Sequence, residues 1–230
     1  MSIVAIIPAR GGSKRIPGKN IKTFAGLPMI AHSIRATRQV GLFDRIIVST
    51  DSDEIMQIAR DHHAEVPFKR PAVIADDTAR TEDVLVHALQ WLSEQGTPAD
   101  FFCCICATAP FIRPADIRKG YELLRAENAT TAFPVTTFAY PIFRSLRINS
   151  SGRIEMFWPE NMHKRSQELP EAYHDAGQFY WCDTKFFLRE LSLISDNSVP
   201  VLIPRQLVQD IDTLEDWEVA EKMLLASQCQ

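Results

Sequence analysis

Hydrophobic positions in this chain fall into short unbroken runs that alternate with stretches of helical spacing. Residues 4–7 are a continuous apolar run between Ser2 and Pro8, the pattern of a strand buried on both faces of a parallel sheet. Leu27, Ile30, Ala31 and Ile34 then recur at helical spacing with Pro28 in the first turn, which predicts a helix running to Gln39 and ended by Gly41. Residues 45–49, RIIVS, read as a second strand, and Ile55, Ile58 and Ala59 mark a helix opening near Ser52. Together these pieces make a β-α-β unit. A short strand is expected around Val66, and residues 81–95 carry Val84, Leu85, Ala88, Leu89 and Leu92 on one helical stripe. A strand over residues 101–106 and a helix over residues 114–125 continue the series. Such alternation predicts an α/β fold, a doubly wound and mainly parallel sheet with right-handed crossovers. Ligands of these sheets bind beyond the carboxyl ends of the strands.

The alternation breaks down over residues 130–180, where Pro134, Pro141, Pro159 and Pro170 punctuate short polar pieces and Ser150-Ser151-Gly152 predicts a turn. This stretch reads as an excursion from the sheet, serving as a lid or a dimer contact. Residues 179–182 and 199–203 return as strands. Thr213, with Asp216 three residues on, forms a capping-box pattern for a last helix whose stripe is Trp217, Ala220 and Leu224. Neither an internal repeat nor a low-complexity tract interrupts this order, so residues 1–230 are expected to form one domain.

Composition narrows the function classes. The 230 residues are 46% hydrophobic and 23% charged, which supports a packed core, and the net charge of −4 argues against a broad nucleic-acid surface. Nothing approaches the roughly 20 apolar residues of a membrane span, and the start MSIVAIIPAR lacks a secretory signal. A cytoplasmic protein is expected. Five cysteines, three of them Cys103, Cys104 and Cys106, make no disulfide framework. The C-x-x-C spacing of Cys103 and Cys106 falls in a predicted strand, where residues three apart face opposite ways, and no Cys/His pair elsewhere has zinc spacing.

Two segments depart from the average charge. Residues 10–22 hold five bases and no acid around Gly11, Gly12 and Gly18, so backbone amides can approach an anion closely while cations offset its charge. The spacing misses the P-loop pattern by one residue and places Asn20 where a magnesium-binding Ser or Thr would stand. An exposed, solvated loop is the plainer reading, but a loop at a strand's carboxyl end is where α/β sheets bind ligands. At the other end, residues 210–221 hold six acids and no base. The helix dipole accounts for Glu215, Asp216 and Glu218. Asp210 and Asp212 precede the cap, and in an extended segment their carboxylates point the same way, as a hard divalent cation requires. No G-x-S-x-G pattern competes, and His62, His63 and His87 read as surface or packing residues.

Four stretches in order, IIPARGGSKRIPGKNIK, IIVSTDSDEI, KRPAVIADDTARTEDVLVHAL and DIDT, resemble the cytidylyltransferases that activate nine-carbon sialic-type acids. The resemblance covers nearly the whole chain. It implies a Rossmann-like sheet of the nucleotide-diphospho-sugar transferase type with an inserted dimerisation segment, matching residues 130–180, and hence a homodimer. The implied reaction joins CTP and a nonulosonic acid into a CMP-sugar and pyrophosphate with Mg²⁺ as cofactor, with neither nucleic acid nor membrane as partner. By the same resemblance Ala9, Arg10, Gly11, Gly12, Ser13 and Lys19 bind the nucleotide phosphates, with Lys19 at the α-phosphate. Asn20, Arg70, Asp77, Thr78 and Ala79 surround the cytidine and ribose, and Asp210 and Asp212 hold the metal. Arg10, Lys19, Asp210 and Asp212 form the implied catalytic set, while Arg165, Gln167, His174, Tyr180 and Cys106 fall where the sugar acid is contacted.

Two departures refine the resemblance. Cys106-Ala107-Thr108-Ala109-Pro110 stands where sialic acid enzymes carry a Gln-Pro-Thr-Ser-Pro-like segment, so a thiol replaces a stronger hydrogen-bonding amide. The stretch AYHDAGQFYW, together with ATAPF, is similar to the pseudaminic acid branch, whose 5,7-diacetamido substrate is less hydroxylated than sialic acid. Phe179 and Trp181 then either offer an aromatic surface to that sugar or alternate with Tyr180 as core residues. Activation of N-acetylneuraminic or legionaminic acid is the neighbouring alternative. A nucleotide-binding protein that has lost catalysis is the alternative of another class, against which Arg10, Lys19, Asp210 and Asp212 all stand intact.

Overall fold

The computed structural model describes residues 1–76 and 78–228. Strand β1 (Ile3–Pro8) leads into the basic loop, which ends in a two-stranded arm of β2 (Thr23–Phe24) and β3 (Leu27–Pro28). Helix α1 (Met29–Val40), strand β4 (Arg45–Ser49), helices α2 (Asp53–Asp61) and α3 (Thr81–Glu94), strand β5 (Phe101–Ile105), helix α4 (Pro114–Ala126) and strand β6 (Thr131–Thr137) follow. Strands β7 (Leu146–Ile148), β8 (Ile154–Met156), β9 (Tyr173–Asp175) and β10 (Phe179–Asp183), helix α5 (Thr184–Glu190), strand β11 (Ser198–Leu202) and helix α6 (Leu214–Gln228) complete the chain. Local chemistry sets several ends as the sequence predicts. Gly41 takes the left-handed conformation after α1, and the Ser52 hydroxyl accepts from Ile55 N at the start of α2. Pro28 belongs to β3 and precedes the first helical residue, one step outside the predicted first turn.

The central sheet has the order β11-β6-β10-β5-β1-β4, with β9 paired to β6. β1 runs parallel to β4 and β5, and β11 parallel to β6, while β10 is antiparallel to both β5 and β6. Both faces are covered, which is why β1 and β5 read as unbroken apolar runs. Ala5, Ile7, Cys103 and Ile105 pack with residues of α1, α2 and α4. Val4, Ile6, Phe102 and Cys104 pack on the other side with α3 and with Phe187 of α5. Cys103 and Cys104 are thus buried in opposite cores, and burial pushes both thiols well above their ordinary range.

Two expectations need correction. The residues around Val66 form no strand, only a single bridge from Glu65 to Ile47. The excursion begins later than residue 130, because residues 131–137 form a central strand despite Pro134. Backbone N and O of one residue point to the same side of a strand, and the Pro134 carbonyl accepts from Ala176 N on the side where β6 changes partner from β10 to β9. The missing donor therefore falls at the join between two ladders and removes no regular hydrogen bond. Between β6 and β9 the chain does leave the sheet as a β7–β8 hairpin, in which Ile148 and Ile154 face outward. Among the described residues no helix is long and apolar enough to cross a membrane.

A third cluster lies beside the sheet, where Ile16 of the basic loop, Phe24, Met29, Phe111, Ile211, Trp217 and Ala220 pack together. It joins the two ends of the chain, placing Ile16 and Ile211 in one core. On the main core, Trp181 stacks on Phe43, and its indole donates to the Ile117 carbonyl at 2.8 Å. A Cβ at Gly120 of α4 would meet Trp181 Cδ1 at 2.8 Å and Phe179 at 3.0 Å. Gly120→Val should therefore lose about 2 kcal/mol from overpacking, read as a lowered urea midpoint at unchanged m-value. A midpoint equal to that of the parent would show that the indole moves freely.

Candidate active site

The basic loop is held by its backbone. Ala9 N donates to the Ser49 carbonyl at 2.9 Å, and Gly11 N to Asp51 Oδ1 at 2.9 Å. A Cβ on Gly11 would approach Ser52 Cβ to 3.0 Å, so the close approach of the loop to the start of α2 favours glycine there. Asn20 is buried, and its amide donates to the Arg10 carbonyl at 2.9 Å. The residue that misses the P-loop pattern is thus a brace across the loop. Arg10, Ser13, Lys14, Arg15, Lys19 and Asn20 line a depression of about 200 Å³. Lys22 lies outside this group, with its ammonium 5.5 Å from the centre of the Trp217 ring.

Around the same loop gather two more predicted segments. The Arg70 guanidinium is buried and donates to Ser49 through both the hydroxyl, at 3.2 Å, and the carbonyl. Burial lowers its pKa to about 10, with Asp51 opposing and Arg10 adding to the shift, so it remains a cation at neutral pH. Arg10 reaches across to donate to the Asp76 carbonyl at 3.0 Å. Asp76 Oδ1 in turn accepts from Thr78 N, Thr78 Oγ1 and Ala79 N at 2.8–2.9 Å, shaping the turn that carries two of the predicted contacts. The third, Asp77, lies outside the described residues.

Asp210 and Asp212 flank buried Ile211, whose place in the third cluster turns both carboxylates outward. Asp212 pairs with the Arg15 guanidinium and lies 3.6 Å from Lys19 Nζ. The loop and the acidic pair meet through these contacts. The cap forms as predicted: Asp216 Oδ2 accepts from Thr213 Oγ1, Thr213 N and Asp212 N at 2.8–3.0 Å, which holds its carboxyl below the ordinary range. Asp210 faces a neighbouring cavity of about 430 Å³, lined also by Thr108, His174, Asp175 and Gly177. Among the described residues no three His, Cys, Asp or Glu side chains form a metal cage.

The predicted sugar-contacting residues divide. Tyr180 donates to Asp175 Oδ2 at 2.6 Å, and burial followed by that bond raises its phenol above the ordinary range, leaving a neutral donor. Cys106 sits close by, with its thiol pushed up to about 12 by burial and then by the Asp175 charge. His174 stands over Phe138 with ring centres 4.9 Å apart. Gln167 lines a separate cavity of about 460 Å³ that also holds Phe138 and Arg205, so the two cavities border each other at the Phe138–His174 contact. Arg165 is exposed at the start of a short 3-10 turn, where its N–H donates to Glu168, and among the described residues no hydrogen bond or ion pair links it to the phosphate loop. Phe179 and Trp181 are wholly buried against α4, which settles the open question in favour of core residues. Sequence reasoning missed Asp51, Asp76, Arg15 and Asp175. Asp51 was accessible as the first acid beyond a strand's carboxyl end, whereas the pairing of Arg15 with Asp212 leaves no local signal.

A cytidylyltransferase family model matches residues 4–198. The pseudaminic acid cytidylyltransferase of Campylobacter jejuni is 39% identical over 221 residues, covering 96% of this chain and 95% of that protein. The CMP-N,N'-diacetyllegionaminic acid synthase of Legionella pneumophila is 32% identical and covers 99% of this chain and 98% of its own length. Among solved structures, a CMP:2-keto-3-deoxy-manno-octonic acid synthetase complexed with CTP superimposes with a TM-score of 0.71 at 19% identity, over 99% of this chain and 100% of that one. That last likeness is one of fold.

A raised thiol pKa removes the thiolate, the reactive form, until the pH approaches that pKa. Cys106 should therefore be alkylated by iodoacetamide at pH 8 at least about 100-fold more slowly than an unperturbed thiol, as followed by peptide mass spectrometry. Rapid labelling at pH 8 would show that neither burial nor Asp175 controls it.

Proposed function

The chain belongs to the cytidylyltransferase family, and from that membership we propose that it transfers CMP from CTP to the anomeric hydroxyl of a nonulosonic acid, with pseudaminic acid as the preferred substrate. The observation that carries this reading is the meeting of the cationic loop with Asp212 at the carboxyl end of β1. A triphosphate seated on Arg10, Ser13 and Lys19 would have its charge offset by fixed cations and backbone N–H groups. The sugar's anomeric hydroxyl attacks the α-phosphorus in line and gives up its proton to solvent, the bond from that phosphorus to the bridging oxygen breaks, and pyrophosphate leaves with the electron pair. Lys19 is the cation suited to the charge that grows on the α-phosphate, since it is mostly buried and already fixed beside Asp212.

Asp210 and Asp212 would hold a magnesium ion. Their fit rests on the donor set: two hard carboxylates flanking buried Ile211, with Asp210 lining the neighbouring cavity and making no side-chain hydrogen bond or ion pair among the described residues. Bound there, the ion would polarise the phosphate under attack and draw its remaining oxygens from nucleotide and water. Dependence on CTP, an intracellular nucleotide, fits a cytoplasmic setting.

The cavity lined by His174, Asp175 and Asp210 is the natural seat for the sugar, with Tyr180 hydrogen-bonded to Asp175 behind it. Pseudaminic acid is favoured over legionaminic acid by the higher identity to the Campylobacter jejuni protein. The outward-facing β7–β8 hairpin, with Leu146, Ile148 and Ile154 exposed, supports a homodimer built on the excursion.

Pyrophosphate release with CTP, Mg²⁺ and a panel of nonulosonic acids should be fastest with pseudaminic acid and fall by about 10²–10³ in Asp212→Ala; faster turnover of N-acetylneuraminic or legionaminic acid would reassign the substrate. Light scattering should give twice the chain mass, and the double change Ile148→Asp and Ile154→Asp should give the single mass. A monomeric parent would remove the dimer.

A further inference from the structure

Asp212 is the counter-charge for two cations of the phosphate loop, and the two differ in freedom. Lys19 is embedded, with 15% of its side chain exposed, and its neighbour Asn20 braces the loop. Arg15 is 71% exposed, although Ile16 beside it is fully buried and fixes the backbone. The guanidinium can therefore swing over the rim of the depression while the chain beneath it stays in place. Exposed ion pairs of this kind contribute little to stability and exchange readily. An entering triphosphate brings a larger negative charge to a depression that Arg15 itself lines, and its oxygens suit a guanidinium at least as well as a carboxylate does.

We infer that Arg15 is a nucleotide-phosphate ligand held by Asp212 until the triphosphate arrives, so that one exchanged ion pair couples nucleotide binding to the capacity of Asp212 to hold a divalent cation. The inference rests on the nucleotide and cation reading given above and goes beyond it by assigning Arg15 and an order of events. While Arg15 sits on Asp212, the carboxylate is a poor cation ligand because its charge is already offset. When the phosphates draw Arg15 away, Asp212 keeps the more distant Lys19, and its remaining charge faces the incoming ion. Such coupling is reciprocal, so a bound cation equally favours the state in which Arg15 is available to phosphate.

The test uses the whole chain with two binding measurements that need no turnover. Mn²⁺ uptake without nucleotide is followed by electron paramagnetic resonance, and CTP binding in EDTA by calorimetry. Arg15→Ala should bind Mn²⁺ at least about 5-fold more tightly than the parent and CTP at least about 5-fold more weakly. Arg15→Lys should retain part of the CTP affinity, and adding Asp212→Asn to Arg15→Ala should abolish the gain in Mn²⁺. A parent chain that binds CTP, with an Arg15→Ala variant indistinguishable from it in either measurement, overturns the inference alone. A parent chain that takes up CTP only when Mg²⁺ is added overturns the inference alone, and one that takes up no CTP with or without Mg²⁺ overturns the proposed function and the inference with it.

Discussion

Five cationic side chains within thirteen residues repel one another, and much of the surrounding structure is arranged to hold them together. The offset comes from scattered parts of the chain. Asp51 at the end of β4 takes the Gly11 amide, the Asp76 carbonyl takes Arg10, Asp212 takes Arg15 and Lys19, and the Trp217 ring takes Lys22. None of these contacts is strong alone, since most are part-exposed and surface pairs contribute about 1 kcal/mol or less. Their effect is geometric. Each secures one point of a loop that has no regular secondary structure, so that four of its five cations, Arg10, Lys14, Arg15 and Lys19, line one depression.

That arrangement is possible because a hydrophobic contact does the joining. Ile16 and Ile211 share a core with Phe24, Met29 and Trp217 beside the main sheet. Burial fixes these two residues, and the charged residues on either side, Arg15 and Asp212, are thereby forced to the same rim. Apolar burial here supplies the positional precision that exposed charges cannot supply for themselves. The sheet adds the second half of the cleft. Its antiparallel strand β10 places Tyr180 beside Cys104, its register partner, and within 2.6 Å of Asp175, so that the neighbouring cavity opens alongside Asp210.

The main strands and helices were legible because each is encoded by interactions within a few residues. Unbroken apolar runs marked β1, β4 and β5, helical stripes marked α1 through α4, and the Thr213–Asp216 pair marked the last cap. Strand β6 was obscured because Pro134 argues locally against a central strand, and only the change of ladder partner beside it removes the objection. The orientation of β10 was equally hidden, since an apolar strand reads the same in either direction. Arg165 and Gln167 were placed by resemblance alone, and the fold sets them on the excursion, with Gln167 lining a cavity separate from the one lined by the loop, an outcome only packing could decide.

By itself the sequence determined the α/β alternation, the cationic loop at a strand's carboxyl end and the acidic pair before the last helix, since all three are properties of adjacent residues. Only the tertiary structure decided that Arg15 and Lys19 close on Asp212, that Asn20 braces the loop, and that Phe179 and Trp181 belong to the core. The ion pairs join residues nearly the whole chain apart through a shared hydrophobic cluster, Phe179 and Trp181 are placed by a strand register, and even the ten-residue reach of Asn20 to Arg10 depends on how the loop is held. Such meetings follow from the balance of burial over the entire molecule, and no window of sequence contains it.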